Sequence, residues 1–572
     1  MPRIERRSVP AEIGAWPGQV HPVLHRVYAA RGIASPGEIE NRLAGLLPPT
    51  LGGMDRACEL LEAAIRGDAR IVVVGDFDCD GATGTAVAVR GLRLLGARDV
   101  GYAVPNRMRH GYGLSPAIVE ELLPRKPDVL ITVDNGVAAH AGVAAAKAHG
   151  MCVIVTDHHL PGETLPAADA MVNPNLNDDP FPSKALAGVG VMFYVLLALR
   201  AKMFPGDLRQ TKPDLSSLLD LVALGTVADL VALDRNNRIL VEAGLKRIRA
   251  GRACAGVSAL FAAGKRDTAR AVAGDLGFTV GPRLNAAGRL EDMTLGIECL
   301  LTDDAGRAGE LAELLSAINA ERRDLQAGMV EQAQAEVHKW KMRHGSDGLP
   351  HGVVLFDPDW HHGVVGLVAA RLKESLHRPV IACAPADSRT GELKASGRSI
   401  PGFHLRDALA EIDARHPGLI ARFGGHAMAA GLSLDRADLE KFAAAFDAVA
   451  RQHLQPEMFD AIVFTDGELA PLDFSLGLAR QLRAAGPWGQ GFPEPAFDGE
   501  FAVDAWRVVG EKHLKLKLRH PHLAEPLDAI AFGAYSGEPP PPRIRAVYAL
   551  DVNEWIGRQS LQLLVRHLEA CG

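Results

Sequence analysis

Short runs of β-branched residues alternate with longer Ala- and Leu-rich stretches between about residues 70 and 235. The runs cover residues 71–74, 100–104, 129–133, 153–156 and 170–173. Uniformly apolar runs of this length predict strands buried on both faces, and the stretches between them predict covering helices, the first starting near Gly84. We therefore expect an α/β fold with a parallel sheet in this part of the chain.

The rest of the chain predicts three further regions. From about 303 to 343, apolar residues recur at helical spacing with charges between them, which predicts one long connector helix. A second α/β unit then begins, and from about 461 short alternating strands with a Pro-rich turn at 539–542 predict a small OB-like β-barrel. We expect an N-terminal helical segment (1–69), a catalytic domain (70–302), a connector helix (303–350), a second α/β domain (351–455) and a barrel domain (456–572).

The composition indicates the number of domains and the cellular compartment to expect. The 572 residues predict several domains, and 62 Lys plus Arg against 69 Asp plus Glu give a net charge of −7, which offers no sign of a nucleic-acid partner. The seven cysteines are scattered without a C-x-x-C pair, so no disulfide framework is expected. The first residues lack an apolar core of signal-peptide length, and no window reaches the ~20 apolar residues of a membrane span. We expect a cytoplasmic protein without membrane contact.

Three carboxylates follow the first apolar run. Asp76, Asp78 and Asp80 occupy alternate positions and repel one another unless cations neutralise them, which favours a divalent metal site. The stretch matches a calcium-binding EF-hand loop as far as Gly81. It then departs from that motif, because Val87 occupies the twelfth position and a strand precedes the loop.

Further acidic and histidine residues follow the later apolar runs. They are Asp134, Asp157, His158, His159 and Asp229, the last interpreted as a fourth strand end. The carboxyl ends of parallel strands lie at one edge of a sheet, so we expect these side chains to converge. The set is too rich for one ion, whereas two divalent ions sharing a carboxylate would use it and would suit phosphate-ester hydrolysis. Imidazole beside carboxylates favours manganese, zinc or iron over calcium, and magnesium suits a site in which oxygen ligands dominate.

These motifs carry a family resemblance. Asp157-His158-His159, with Asp78-x-Asp80 and Asp134, resembles the DHH phosphoesterase superfamily. Longer strings resemble one family within it, the RecJ single-strand-specific exonucleases: PNRMRHGYGLS (105–115), LAGVGVMFYV (186–195), LGTVADLV (224–231) and GPRLNAAGRL (281–290). The resemblance extends from about residue 70 to the end of the chain.

The resemblance implies roles at the metal site. The implied catalytic residues are Asp78, Asp80, Asp134, His158, His159 and Asp229. All of these except His159 are implied metal ligands, with Asp134 bridging the two ions. Asp76 and His159 would lie close by, Asp76 as a further ligand, and Asp157 would orient a histidine.

The resemblance also implies DNA-binding residues. In the catalytic domain it suggests DNA contact for Arg283, Asn285 and Arg289. The side chains of Arg107, Arg109 and Tyr112, in a predicted loop, can themselves hold phosphates or stack on a base. The second α/β domain resembles the DHHA1 domain, and its implied contacts are His361, Ser396, Arg398, Gly424, Gly425 and His426. Paired glycines let backbone N–H groups approach an anion, and the Arg and His add charge, so the DNA 5′ end is the expected ligand. In the barrel, strand alternation places His513, Lys515 and Lys517 on one face, where they could follow a phosphate backbone.

The resemblance implies a two-metal exonuclease that degrades single-stranded DNA from its 5′ end to mononucleotides in DNA repair and recombination. The implied cofactors are two Mn²⁺ or Mg²⁺ ions, with Mn²⁺ preferred. The expected protein is a monomer whose partners are single-strand binding protein and a helicase. Two alternatives stay open at this point: a DHH-family phosphodiesterase for short oligonucleotides or cyclic dinucleotides, and a non-catalytic DNA-repair scaffold.

Overall fold

The computed structural model describes residues 2–10, 16–18, 20–106, 110, 112–206, 212–344, 348–386, 391–555 and 557–571. The chain forms two compact units. The smaller unit comprises Met1–Glu5 and Ala317–Val463, and the larger comprises Arg6–Ser316 and Phe464–Gly572.

The first elements lie before and within the predicted parallel sheet. Before the sheet come the strand β1 (Arg3–Arg6) and the helices α1 (Pro22–Ala29) and α2 (Met54–Arg66), so the predicted N-terminal helical segment also contains a strand. The sheet strands are β2 (Ile71–Val74), β3 (Val100–Ala103), β4 (Val129–Val133), β5 (Cys152–Thr156) and β6 (Ala170–Val172). Their order is β3-β2-β4-β5-β6, and every neighbouring pair is parallel. This confirms the predicted parallel α/β fold.

Helices cover this sheet. They are α3 (Cys79–Leu94), α4 (Pro116–Leu122), α5 (His140–Ala148) and α6 (Gly188–Met203). Helix α3 begins at Cys79 instead of near Gly84, because the Asp78 carboxylate accepts a hydrogen bond from the Gly81 N–H at 3.0 Å and caps the helix. The acidic motif that follows β2 therefore includes the N-cap and the first turn of α3.

A helical region follows the sheet. Its helices are α7 (Leu219–Ala228), α8 (Arg235–Arg249), α9 (Ala255–Ala263), α10 (Ala273–Asp275), α11 (Gly281–Leu290) and α12 (Thr294–Leu301), with a π-helical turn at Leu276–Val280. The interpretation of Asp229 as following a strand is wrong, since the preceding apolar run is α7. That helix is buried from Leu219 to Thr226, so its sequence is apolar except at Asp220 and Thr226 and shows no helical period.

The long helix α13 (Ala305–His344) precedes the second sheet. The elements that follow are β7 (Val353–Phe356), α14 (Val365–Leu376), β8 (Val380–Pro385), β9 (Glu392–Arg398), α15 (Leu405–Arg415), β10 (Arg422–Gly425), β11 (Ala429–Asp435) and α16 (Leu439–His453). The strand order is β10-β11-β9-β8-β7, in which only the β7/β8 pair of the described strands is parallel. The second α/β unit is confirmed.

The C-terminal part of the larger unit is a closed barrel. After β12 (Ile462–Thr465) and α17 (Leu476–Ala484) come β13 (Phe497–Val509), β14 (His513–Arg519), β15 (Leu527–Ala531), β16 (Arg543–Trp555) and β17 (Arg558–Ala570). The barrel order is β13-β14-β15-β17-β16, with β15 and β17 parallel and the other pairs antiparallel. This confirms the predicted OB-like barrel. Within the described part of the chain, no helix is both long and apolar enough to cross a bilayer.

Inside the larger unit, an aromatic contact joins a segment near the start of the chain to a segment near its end. Tyr28 stacks on Trp488 with ring centroids 5.9 Å apart, and the Leu233 N–H donates to the Gln490 carbonyl at 2.7 Å. Leu233 lies just after Asp229 in the chain. The turn after Trp488 therefore packs against the segment that follows a candidate metal ligand.

A buried ion pair lies in the same contact. Arg31 and Asp466 are both almost fully buried and share two hydrogen bonds, of 2.7 and 3.0 Å. Replacing Arg31 by Met leaves the buried Asp466 carboxylate with the longer ion pair to Arg7, at 3.5 Å. We therefore expect Arg31→Met to lower the free energy of unfolding by about 3 kcal/mol. Arg98 pairs with Asp68 on the surface, and Arg98→Met should cost less than about 1 kcal/mol. Urea unfolding of the two variants tests this, and equal losses would contradict it.

Candidate metal centre

The carboxylates after β2 are anchored by the start of two helices. Asp76 is buried, Asp78 caps α3, and Asp80 lies in the first turn of α3. The Asp80 carboxylate accepts hydrogen bonds from the N–H groups of Gly188 at 2.6 Å and Val189 at 2.9 Å, at the positive N-terminus of α6. Burial, followed by the negative charge of Asp78, raises the pKa of Asp80 to about 7.

Asp134 lies at the end of β4 in a left-handed conformation, with a φ of 64°. Its N–H donates to the Thr156 carbonyl at 3.1 Å, which fixes the turn against β5. Helix α6 approaches this turn so closely that a Cβ on Gly188 would lie 2.5 Å from the Asp134 Cβ. Only glycine at position 188 permits this approach, which places Asp80 and Asp134 together.

Asp157 orients the histidine pair after β5. Its carboxylate accepts a hydrogen bond from His159 Nδ1 at 2.8 Å and from the N–H groups of His158 at 2.7 Å and Val137 at 2.8 Å. Burial opposes ionisation, yet these bonds, led by the one from His159, lower the pKa of Asp157. The same bond outweighs burial and raises the pKa of His159. The structure thus gives Asp157 the orienting contact that the resemblance implies.

His158 faces three carboxylates from different elements. Its Nε2 atom lies 3.0 Å from Asp134 Oδ1, 3.6 Å from Asp229 Oδ2 and 4.0 Å from Asp80 Oδ2. Burial, followed by the neighbouring His159, lowers the pKa of His158 to about 4, which favours the neutral ring that binds metals. Asp229 reaches this position from the end of α7, because a glycine at 225 lets α7 pack beside Asp80.

Tyr112 lies at the same edge of the sheet. Its hydroxyl donates to the Asp134 carbonyl at 3.1 Å and lies 3.3 Å from His159 Nε2. The two other predicted DNA contacts in this segment, Arg107 and Arg109, lie outside the described residues. Tyr112 is therefore part of the wall of the candidate metal centre.

The candidate ligands form three adjoining groups, each with ligand atoms within 4.8 Å of one another. The groups are Asp76, Asp78 and Asp134; Asp80, His158 and Asp229; and Asp134, His158 and His159. Asp134 and His158 each belong to two groups, so the groups merge into one centre. This arrangement brings together every ligand that the resemblance implies.

The chemistry of the centre fits divalent cations. Asp134 Oδ1 and His158 Nε2 are buried and, within the described structure, make no hydrogen bond although they lie 3.0 Å apart. Burial and the nearby carboxylates raise the pKa values of Asp134 and Asp229 well above the usual range. Bound cations would offset the cost of burying these negative charges, since cations favour the charged carboxylates and the neutral imidazole.

Helix α11 braces the first metal loop. Asn285 Oδ1 accepts a hydrogen bond from the Cys79 N–H at 2.7 Å, and a Cβ on Gly288 would lie 1.8 Å from the Phe77 carbonyl oxygen. Sequence reasoning missed this bracing and the two glycines at 188 and 225. The glycines within the segments 186–195 and 224–231 were the sequence feature that could have indicated this close packing.

The other predicted DNA contacts of α11 have different surroundings. Arg283 donates to Ser316 Oγ at 2.8 Å and to the Thr279 carbonyl at 2.5 Å, contacts that hold the π-helical turn. Arg289 is half-buried near the end of α11. DNA contact by Arg283, Asn285 and Arg289 stays a prediction.

Asn285→Ala separates bracing from DNA contact. We expect about a tenfold rise in the Mn²⁺ concentration needed for half-maximal activity, because the Cys79 N–H loses its partner and the loop loosens. Binding of single-stranded DNA without metal should stay at the wild-type level. The opposite result, weaker DNA binding with an unchanged Mn²⁺ requirement, would assign Asn285 to the substrate.

The second α/β unit gathers its predicted residues around β9. Gly424 pairs with Gly431, which in turn pairs with Ser396, so these positions form one row across the sheet. Arg398 donates to Ser396 Oγ at 3.0 Å, and no carboxylate of the described residues lies within ion-pair distance of it. Burial lowers the pKa of this guanidinium, which makes an anion a favourable neighbour.

The remaining predicted residues of this unit lie on two other segments. His361 stacks on His362 with centroids 5.1 Å apart, just before α14, and a Cβ on Gly366 of α14 would lie 2.9 Å from Ser396 Oγ. Gly425 has a φ of 146°, and the adjoining His426 is exposed. The start of α14 thus packs directly on the row that contains Ser396.

The outward face of β14 follows the predicted alternation. The leucines between its basic residues are buried, whereas His513, Lys515 and Lys517 lie on the other face. Lys517 Nζ is 3.0 Å from Asp528 Oδ1, and His513 Nδ1 accepts the Gly533 N–H at 2.9 Å. The basic face is thus partly neutralised by the neighbouring strand.

A parallel sheet whose carboxyl edge collects carboxylates and histidines into merged ligand groups places the protein in the class of metal-dependent phosphoesterases. Family models agree in detail. The DHH family N-terminal domain matches residues 70–226, the DHHA1 domain matches 350–452, and the RecJ OB domain matches 465–567.

Relatives narrow the class to one family. The chain is 51% identical to the single-stranded-DNA-specific exonuclease RecJ of Dickeya dadantii, over 96% of each chain. It is 48% identical to the protein of the same description from Escherichia coli, over 99% of each chain. The crystal structure of RecJ from Thermus thermophilus with Mn²⁺ is similar at a TM-score of 0.81 and 32% identity, covering 100% of this chain and 80% of that one. The chain belongs to the RecJ family.

Proposed function

We propose that this protein is a two-metal exonuclease that degrades single-stranded DNA from the 5′ end to mononucleotides, in DNA repair and recombination. The observation that carries the proposal is the merged ligand groups around Asp134 and His158. The names of the relatives support single-stranded DNA as the substrate. The whole-chain similarity to those relatives argues against both a small-substrate phosphodiesterase and a scaffold.

The ligand groups suggest how two cations are held. Asp76, Asp78 and Asp134 would hold one cation, and Asp80, His158 and Asp229 the other. Asp134 would contact both, because it also lies 3.0 Å from His158. Cations in these positions would supply Lewis-acid activation of water and would offset the charge of the phosphodiester.

Residues beside the ligands complete the site. Asp157 keeps the His159 ring in one orientation through the Nδ1 hydrogen bond. This leaves His159 Nε2 beside the Tyr112 hydroxyl, where it can donate a hydrogen bond to a phosphate oxygen. We propose that His159 holds the scissile phosphate while water attacks the phosphorus in line. The P–O bond to the 3′ oxygen of the terminal nucleotide then breaks, and that oxygen leaves as a hydroxyl group.

We propose that the second α/β unit binds the 5′ end of the strand. Ser396 and Arg398 offer polar donors beside the Gly424-Gly425 pair, and Arg398 has no carboxylate partner among the described residues. His361 and His426 would add hydrogen bonds to the same phosphate. These features support recognition of a terminal phosphate, which explains exonucleolytic action.

We also propose the division into an N-terminal segment (1–69), DHH domain (70–302), connector (303–350), DHHA1 domain (351–455) and OB domain (456–572). Helix α13 and the ranges of the matching family models support it. The proposed cofactors are two Mn²⁺ or Mg²⁺ ions, with Mn²⁺ preferred; RecJ of T. thermophilus has been crystallised with each. The proposed setting is a cytoplasmic monomer that works with single-strand binding protein and a helicase.

The test uses single-stranded oligonucleotides labelled at either the 5′ or the 3′ end, incubated with the protein and Mn²⁺, with excess chelator as the blank. A 5′ label should appear at once as a mononucleotide, whereas a 3′ label should pass through progressively shorter fragments. The reverse order would overturn the polarity, and the absence of degradation would overturn the activity.

A further inference from the structure

The outward face of the barrel at β14 consists of three rows that cross β13, β14 and β15. Residues directly opposite each other in an antiparallel pair share a face, so the register defines the rows. The rows are Val509, His513 and Phe532; Arg507, Lys515 and Ile530; and Ala505, Lys517 and Asp528. Phe532 follows the last residue of β15 and joins the first row through its ring contact with His513.

The first row presents an exposed aromatic pair. Phe532 is 62% exposed, and its ring meets the His513 ring edge-on at a centroid distance of 5.1 Å. The Gly533 N–H donates to His513 Nδ1 at 2.9 Å and holds that ring in place. The Phe532 ring is thus exposed to solvent beside a His513 ring that is held in place. A nucleic-acid base can stack on the exposed face of such a ring.

The second row presents two facing cations. Arg507 and Lys515 are directly opposite each other, an arrangement that destabilises a sheet when the charges are alike. Neither forms an ion pair with any carboxylate in the stretches that the structure covers. In the third row Lys517 is paired with Asp528 at 3.0 Å. The second row therefore gains most from an anion that lies between its two cations.

We propose that the first two rows form a nucleotide site in which a base of single-stranded DNA stacks on Phe532 and a flanking phosphate contacts Arg507 and Lys515. Neighbouring rows are two residues apart along a strand, or about 7 Å, so one nucleotide can reach both. The site deepens the proposed function and rests on it. Of the residues predicted on the basic face of β14, the proposed site includes His513 and Lys515 and leaves out Lys517.

The test measures binding of a long fluorescent oligothymidylate to the full chain by anisotropy, with excess EDTA to prevent hydrolysis. Phe532→Ala should weaken binding about tenfold, and Phe532→Tyr should restore it. The double variant Arg507→Ala/Lys515→Ala should weaken binding and reduce the slope of log affinity against log salt by about 0.7 to 1.4.

Two matched variants control for the loss of an exposed side chain. Leu472→Ala removes an apolar group that is 93% exposed, and Arg543→Ala removes an exposed barrel cation that is paired with Glu500; both should bind as the wild type does. Equal binding by Phe532→Ala and wild type, a defect that Phe532→Tyr does not restore, or no binding by wild type would each overturn the site.

Hydrolysis of an oligonucleotide of a few residues, measured with Mn²⁺, separates this proposal from the proposed function. The controls Leu472→Ala and Arg543→Ala should cleave it at the wild-type rate. The Phe532→Ala and Arg507→Ala/Lys515→Ala variants should keep the wild-type melting temperature, which shows that their fold is intact. Failure of the wild type to cleave it would overturn the proposed function alone, because the anisotropy comparison needs no catalysis. A lower melting temperature in Phe532→Ala would assign that residue to the fold and overturn the site.

Discussion

Asp134→Asn is expected to hydrolyse single-stranded DNA at least about a thousandfold more slowly than the wild type. Asp134 belongs to two of the three ligand groups, and its Oδ1 atom faces His158 Nε2 at 3.0 Å. An amide at this position lacks the negative charge that would hold both cations. Asparagine is the suitable replacement because it tolerates the left-handed conformation of this residue, with its φ of 64°. The initial rate on a labelled oligonucleotide with Mn²⁺ measures the loss.

A surface carboxylate gives the control for this variant. Asp99 is exposed and pairs with Arg70 at 2.7 Å, so Asp99→Asn should keep the wild-type rate. DNA binding without metal should be the same in both variants, since neither change touches the proposed phosphate contacts. An Asp134→Asn protein with a near wild-type rate would remove this residue from the centre and would leave the two ligand groups unconnected.

The fold was predictable where the chain pattern is local. The run Ile71–Val74 is apolar at every position because its strand is buried on both faces, and the structure has all four residues buried. The acids at 76, 78 and 80 follow this run directly, so their meeting with Asp134 at one sheet edge followed from parallel topology. The barrel strand β14 was equally readable, because its leucines and basic residues alternate with the period of a strand.

The features that could not be predicted depend on contacts between segments that are distant in the chain. The apolar run before Asp229 has no period, since α7 is buried on all sides, and a strand was the equally valid interpretation. The partner of Lys517 is Asp528, which only the β14/β15 register identifies. Asn285 was assigned to DNA from a string of residues, whereas its hydrogen bond to the Cys79 N–H requires the packing of α11 on the first metal loop.

Gly188→Ala is expected to lower the rate of hydrolysis about a hundredfold, through geometry alone. The new Cβ would lie 2.5 Å from the Asp134 Cβ and 2.8 Å from its Cα, so the end of β4 and the start of α6 must move apart. Asp80 would follow α6, because it accepts the N–H groups of residues 188 and 189. Asp80 and Asp134 would then separate, and the two ligand groups they serve would no longer fit cations at the spacing of a two-metal site.

The neighbouring helix position distinguishes this clash from a general effect of alanine on α6. The nearest atom to a Cβ on Gly190 would be Leu186 Cδ2, at 3.2 Å, and the end of a leucine side chain can rotate away. Gly190→Ala should therefore keep most of the activity. A higher Mn²⁺ requirement in Gly188→Ala, with a wild-type requirement in Gly190→Ala, would show that the contact between α6 and the turn after β4 sets the spacing of the ligands. Equal activity of the two variants would mean that the turn yields to the methyl group, so that the ligand spacing depends on the cations themselves.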